Sequence, residues 1–137
     1  MPATLNHIGI AVTNLPELKK LFALLGLTVT HTEPVADQGV VTHFIPLPVV
    51  QGHLEFLEAT DPQGAVAKFM QKRGPGIHHL SFQVGKGELL PLCEKLRANS
   101  YRLTYEQPKA GAHQMLINFI HPASAGGMLI ELMEHLG

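Results

Sequence analysis

The chain repeats itself, and a repeat constrains the fold more tightly than any single element can. Asn6-His7-Ile8-Gly9-Ile10-Ala11-Val12 lies on His78-His79-Leu80-Ser81-Phe82-Gln83-Val84 at an offset of 72 residues. Val40 to Ile45 lies on Met115 to Ile120 at an offset of 75, and Leu54-Glu55-Phe56-Leu57 on Ile130-Glu131-Leu132-Met133 at an offset of 76. Three matches in one order, with slowly drifting offsets, describe a duplicated unit with small loop insertions. The local patterns agree. Residues 5–12 alternate and are rich in Ile and Val, which predicts a strand. Asn14 and Pro16 predict a helix start, Leu18, Leu21, Phe22 and Leu25 an apolar stripe, and Gly26 its end. Strands are predicted over 27–32, 38–47 and 52–58. The second copy predicts a strand over 77–84 and a helix near 87–98 with Leu89, Leu92, Cys93 and Leu96 on one face. Strands over 101–106, 113–121 and 128–134 complete it. The fold class is α+β: one domain, 1–137, made of two βαβββ modules in tandem over 5–59 and 77–134. A linker helix and loop over 60–76 join them, with the helix over Asp61–Lys72, Pro62 at its start and Val66, Phe69 and Met70 on one face.

Alternate side chains of a strand face opposite sides of its sheet. Ile8, Ile10 and Val12 share one face of the first strand, as Leu80, Phe82 and Val84 do in the fifth, and these apolar sets pack under the helices. Leu54 with Phe56, and Ile130 with Leu132, take the same side. The opposite face then carries His7, Glu55, His79 and Glu131, two from each repeat at equivalent places. If the two faces enclose a cleft, two imidazoles and two carboxylates suit a divalent ion with N/O preference: Co, Zn, Ni, Mn or Fe(II). His79 rather than neighbouring His78 is the candidate, because His79 aligns with His7. A carboxylate is almost never buried without a partner, which favours ligation over a bland buried role.

Composition excludes other classes. The 137 residues are 45% hydrophobic and 15% charged, enough apolar material for a core and too little charge for disorder. A net charge of −1 gives no general attraction to nucleic acid or to an acidic membrane. No apolar run is long enough to span a bilayer, and the N-terminus carries no secretory signal pattern, so a cytoplasmic location is expected. The single cysteine, Cys93, excludes an internal disulfide and reads as core. Nine histidines stand against ten Lys plus Arg. Of these, His31, His53 and His135 read as surface residues, and His113 and His121 sit at strand ends.

The motifs NHIGIAV at 6–12, DQGV at 37–40, LEFLE at 54–58, GIHHLSFQV at 76–84, INFIHPAS at 117–124 and GGMLIEL at 126–132 cover nearly the whole chain. They resemble the vicinal-oxygen-chelate (glyoxalase/bleomycin-resistance) superfamily, and within it the methylmalonyl-CoA epimerase branch. The resemblance implies paired βαβββ modules around a metal-binding cleft, with His7, Glu55, His79 and Glu131 as ligands of a divalent ion. It implies a small CoA thioester substrate, a homodimer, and epimerisation at the carbon between thioester and carboxylate through a metal-stabilised enolate. Glu131 is the expected proton-transfer group. Its partner is expected to be Asp37, His43 or a water held by Thr42, with His43 more consistent with the outward face. This chain departs from the branch in having Ala123 where a lysine is usual, Asp37 where a glutamate is frequent, and Thr42 where some members carry a catalytic glutamate. A glyoxalase-I-type isomerase would use the same four ligands, whereas a non-catalytic small-molecule binder of this fold would need none of them. Lys68, Lys72, Arg73 and Lys109 are candidates for phosphate contact and equally read as solvated surface.

Overall fold

The computed structural model describes residues 2–137, apart from the side chain of Ala112. Two compact units emerge: His7–His78, and the residues up to Asn6 together with His79–Gly137. Their boundaries fall inside strands rather than in the predicted linker. Asn6 Nδ2 donates to Gln83 Oε1 at 2.9 Å, which ties the N-terminal residues to the second unit.

In the first unit, β1 (Thr4–Val12) leads into α1 (Leu15–Leu24), followed by β2 (His31–Val35), β3 (Val40–Pro46), β4 (His53–Ala59) and α2 (Ala65–Arg73). The strand order is β2-β3-β4-β1, with β1 and β4 parallel and the other pairs antiparallel. Asn14 caps α1, its side-chain oxygen accepting from Glu17 N at 3.2 Å. The helix ends where Gly26 turns left-handed, φ +80. Gly26 N donates to Ala23 O and Leu27 N to Phe22 O, a Schellman closure that satisfies two of the last carbonyls. Only part of the predicted stripe packs. Leu15, Leu18 and Phe22 join Ile10, Val12, Ile45, Leu54 and Phe56 in the core, whereas Leu21, Leu24 and Leu25 are exposed.

The second unit repeats the plan. Here β5 (Gly76–Val84), of which His79–Val84 belong to this unit, leads into α3 (Leu89–Ala98), then β6 (Lys109–Ala110), β7 (Met115–Ile120) and β8 (Ile130–His135). The order is β5-β8-β7-β6, with β5 and β8 parallel. Leu89, Leu92, Cys93 and Leu96 pack on Phe82, Val84, Ile130 and Leu132, the face and partners the sequence predicts. Burial pushes the Cys93 thiol up from its ordinary value, so Cys93 is an inert core residue.

Three expectations need correction. The strand predicted over 27–32 lies instead at His31–Val35, because Leu27 and Val29 turn into the core beside Phe22. Pro34 is tolerated there because β2 has β3 as its sole partner in this unit. The strand predicted over 101–106 is replaced by one isolated bridge, Leu103 to Ile120, and by the two-residue β6. The buried Asn118 amide takes the place of the ladder, donating to Tyr105 O and accepting from Tyr105 N, each at 3.0 Å. Finally, α2 begins at Ala65, and Pro62 lies in the preceding turn. Val66, Phe69 and Met70 do share a face, packing on Ala11, Val40 and Leu57. Ala11 and Leu57 alternate with the residues under α1, so α2 covers part of the face expected to be free of helices.

One glycine is required by contact as well as by φ. Gly39, at φ +66, closes the β2–β3 turn, and a Cβ there would lie 2.8 Å from Asp61 Cβ. Its carbonyl accepts from Thr60 N at 2.8 Å, seating the turn on the segment that leads to α2.

Glu134 shows how the second unit fixes its helix. α3 has no side-chain cap from its own residues, and Glu134 Oε1 on β8 accepts from Leu89 N at 2.9 Å. Backbone N–H groups of Gly87 and Leu89 hold the Glu134 carboxyl below the usual carboxylate value. A depressed folded pKa contributes stability above the unfolded value of 4.5, and that stability is lost as pH falls through the folded pKa. Glu134→Ala is expected to cost about 1–2 kcal/mol at pH 7, as loss of a helix cap does, and less at a pH well below 4.5, where the carboxyl becomes protonated. Urea unfolding of both proteins at the two pH values measures this.

Candidate metal centre

Each unit brings together the imidazole and the carboxylate that the repeat assigns to it. In the first, His7 and Glu55 lie on neighbouring parallel strands, with Gly9 opposite Glu55 and His7 opposite His53. Cross-strand neighbours share a face, so His7, His53, Glu55 and Leu57 project to one side. Leu54 and Phe56 project to the other, into the α1 core. His7 Nδ1 stands 3.1 Å from Glu55 Oε2, and both side chains are largely buried. His53, read from the sequence as a surface residue, belongs to this group. Its Nε2–H donates to Glu55 Oε2 at 2.7 Å, and its ring stacks on His7 with centroids 5.3 Å apart.

In the second unit, His79 Nε2 lies 3.9 Å from Glu131 Oε1. Ser81 pairs with Glu131 across β5 and β8, and strand alternation puts His79 and Ser81 on one face. The Ser81 hydroxyl is fully buried there, with no hydrogen-bond partner among the described residues. Met133, Ile117, Met115 and Phe119 continue this face as an apolar cluster. His78 lies at the end of the other unit, edge-on to Phe69 of α2 at 5.0 Å. Burial there lowers the His78 pKa from its ordinary value.

Each pair offers one imidazole nitrogen and one carboxylate oxygen, donors of the kind a divalent ion takes. The ligand atoms of His7, His53 and Glu55 lie within 4.8 Å of one another. An ion held at roughly 2.0–2.2 Å by imidazole nitrogen and carboxylate oxygen needs that closeness.

The remaining candidates divide by strand face. Thr42 is buried and opposite Leu57, which places it on the Glu55 face. His43 lies on the α1 face opposite Phe56, bonded to Thr32 Oγ1 at 3.0 Å and donating to Glu58 Oε1 at 3.1 Å. Asp37 is exposed in the 3-10 turn Ala36–Gln38. Sequence reasoning missed Glu33. It pairs with Thr42 across β2 and β3, hence shares the Glu55 face, and its Oε2 is buried. The predicted strand stopped at residue 32, so Glu33 had no face to be assigned to. Lys68, Lys72, Arg73 and Lys109 are exposed, and Lys109 Nζ stands 4.5 Å from the Tyr105 ring centre. Among the described residues no helix is long and apolar enough to cross a membrane.

Comparison with known proteins agrees with this architecture. The profile of the glyoxalase/bleomycin resistance protein/dioxygenase superfamily matches residues 6–119. The chain is 33% identical to the ethylmalonyl-CoA/methylmalonyl-CoA epimerase of Cereibacter sphaeroides, over 98% of this chain and 99% of that one. It superposes on the crystal structure of methylmalonyl-CoA epimerase from Mycobacterium tuberculosis with a TM-score of 0.88 and 37% identity, covering 100% of this chain and 94% of that one. A variant of the Streptomyces coelicolor methylmalonyl-CoA epimerase, in complex with 2-nitronate-propionyl-CoA, gives a TM-score of 0.87 at 30% identity, covering 100% of this chain and 97% of that one. The chain belongs to the glyoxalase/bleomycin resistance protein/dioxygenase superfamily and, within it, to the branch of the methylmalonyl-CoA epimerases.

Proposed function

We propose that this protein is a metal-dependent epimerase of methylmalonyl-CoA, with His7, Glu55, His79 and Glu131 holding one divalent ion of the Co, Zn, Ni or Mn type. The observation that carries the chemistry is the imidazole–carboxylate pair at equivalent strand positions of both modules, 3.1 Å apart in one and 3.9 Å in the other. The substrate class comes from the relatives, one of which binds a CoA thioester analogue.

Epimerisation removes the proton between thioester and carboxylate and returns one to the opposite face of a planar enolate. When bound, a divalent ion supplies Lewis-acid stabilisation to the negative charge that develops on the thioester oxygen. The chain supplies the proton carriers. Glu131, which would also help hold the ion, is the carrier in the second module. The opposing carrier belongs to the first module. Thr42 can position a water but cannot take a proton. Asp37 is exposed to solvent, which competes for its proton. Glu33, side by side with Thr42 and with one oxygen buried, is the carboxylate on the right face.

The reading is tested by offering a single epimer of methylmalonyl-CoA and, separately, glutathione hemithioacetal. Turnover of the first alone supports it, and turnover of the second alone makes the protein a glyoxalase-type isomerase. Glu33→Gln is expected to slow epimerisation by about 10²–10⁴-fold, the usual range for a proton-transfer group. In D2O this variant should still exchange the α-proton of the epimer served by Glu131 and lose exchange from the other. Equal loss from both epimers would assign Glu33 a structural role.

A further inference from the structure

We propose that His53 is a positioning residue that fixes how Glu55 is presented to the ion; the inference rests on the metal reading above. Two imidazole nitrogens converge on a single oxygen of Glu55. His53 Nε2 is 2.7 Å from Oε2 and His7 Nδ1 is 3.1 Å from it. A carboxylate accepts only, so the His53 ring carries its proton on Nε2 toward Glu55. That hydrogen bond is short and charge-assisted, the kind that holds a carboxylate against rotation about its last torsion.

The His53 ring is itself braced. It lies between His7, at 5.3 Å and 29° between planes, and Phe44, at 5.4 Å and 38°. His31 continues the row of rings, packing against Phe44 at 5.3 Å. Strand geometry places the two side chains side by side. His53 and Glu55 are two residues apart on β4 and therefore on one face, and His53 is the register partner of His7. With Oε2 hydrogen-bonded to His53, the other oxygen of Glu55 would be the one left for the ion. A partner of this kind orients a ligand, and losing it costs roughly 10–100-fold in metal affinity. In the second module Leu129, not a histidine, stands two residues before Glu131.

The rival role, His53 as a ligand in its own right, uses the same nitrogen and cannot coexist with the hydrogen bond. The test is titration of the full-length apoprotein with Co(II) against a chromophoric chelator, with the visible spectrum of the Co(II) form recorded for each variant. His53→Ala is expected to weaken Co(II) binding about 10–100-fold. His53→Gln, whose amide N–H can reach the same oxygen, should recover most of that loss and leave the Co(II) spectrum as in wild type. Unchanged affinity in His53→Ala overturns the proposal. So does a changed spectrum in His53→Gln together with the full loss, which makes His53 a ligand. If the wild-type protein fails to bind Co(II), the metal reading itself falls, a result separate from either of these.

Discussion

Glu131→Gln is expected to retain most of its bound metal and to lose about 10²–10⁴-fold in the rate of methylmalonyl-CoA epimerisation. The amide oxygen of glutamine can still coordinate an ion, but glutamine cannot accept the substrate proton, and a positioned acid–base group is worth that range. Glu131 is buried beside His79, with Ser81 directly across the strand pair, so an isosteric change leaves the packing of β5 and β8 intact. Metal content by elemental analysis and kcat on a single epimer are the two measurements. Loss of metal and rate together would make Glu131 a ligand whose other role is unproven. A wild-type rate of α-proton exchange would remove it from proton transfer altogether.

Glu55→Ala is expected to lose metal and activity together. Glu55 gathers both His7 and His53, so its removal deletes one donor and leaves two buried or half-buried imidazoles without the carboxylate they share. Affinity should fall by more than the roughly 10–100-fold that loss of an outer partner costs. The comparison with His53→Ala therefore ranks a ligand against the residue that positions it. Retained metal at wild-type affinity would place the ion elsewhere. Circular dichroism of both apoproteins controls for folding, since Phe56, the next residue, is wholly buried in the α1 core.

The sequence made much of this legible because two periodicities agree. The repeat aligns His7 with His79 and Glu55 with Glu131, and period-2 alternation then places each pair opposite its helix. The structure finds the pairs together within each unit and the apolar residues under α1 and α3. What was not legible follows from contacts that alternation cannot express. The 101–106 segment has strand-forming residues, yet the Asn118 side chain satisfies its backbone locally, and a side chain bonding to main chain competes with a ladder. Leu27 and Val29 look like strand residues but enter the core from a loop, which moved β2 along the chain and hid Glu33. His53 was available by the same rule that found Glu55, two positions earlier on the same strand. A lone histidine at the start of a strand nonetheless reads as a surface residue. The exposed Leu21 and Leu25 show the limit of a helical stripe, since Leu15, Leu18 and Phe22 are the α1 residues that pack in the core beneath it.

In the function proposed above, the chain moves the α-proton of methylmalonyl-CoA and needs a divalent ion to do so. Deuterium incorporation from D2O into a single epimer measures it most directly, followed by mass spectrometry in the chelator-stripped protein and after adding back Co(II). Incorporation should be lost on stripping and restored by the ion, with deuterium appearing at the α-carbon of both epimers as they equilibrate. Undiminished incorporation by protein shown to be free of metal would contradict the account.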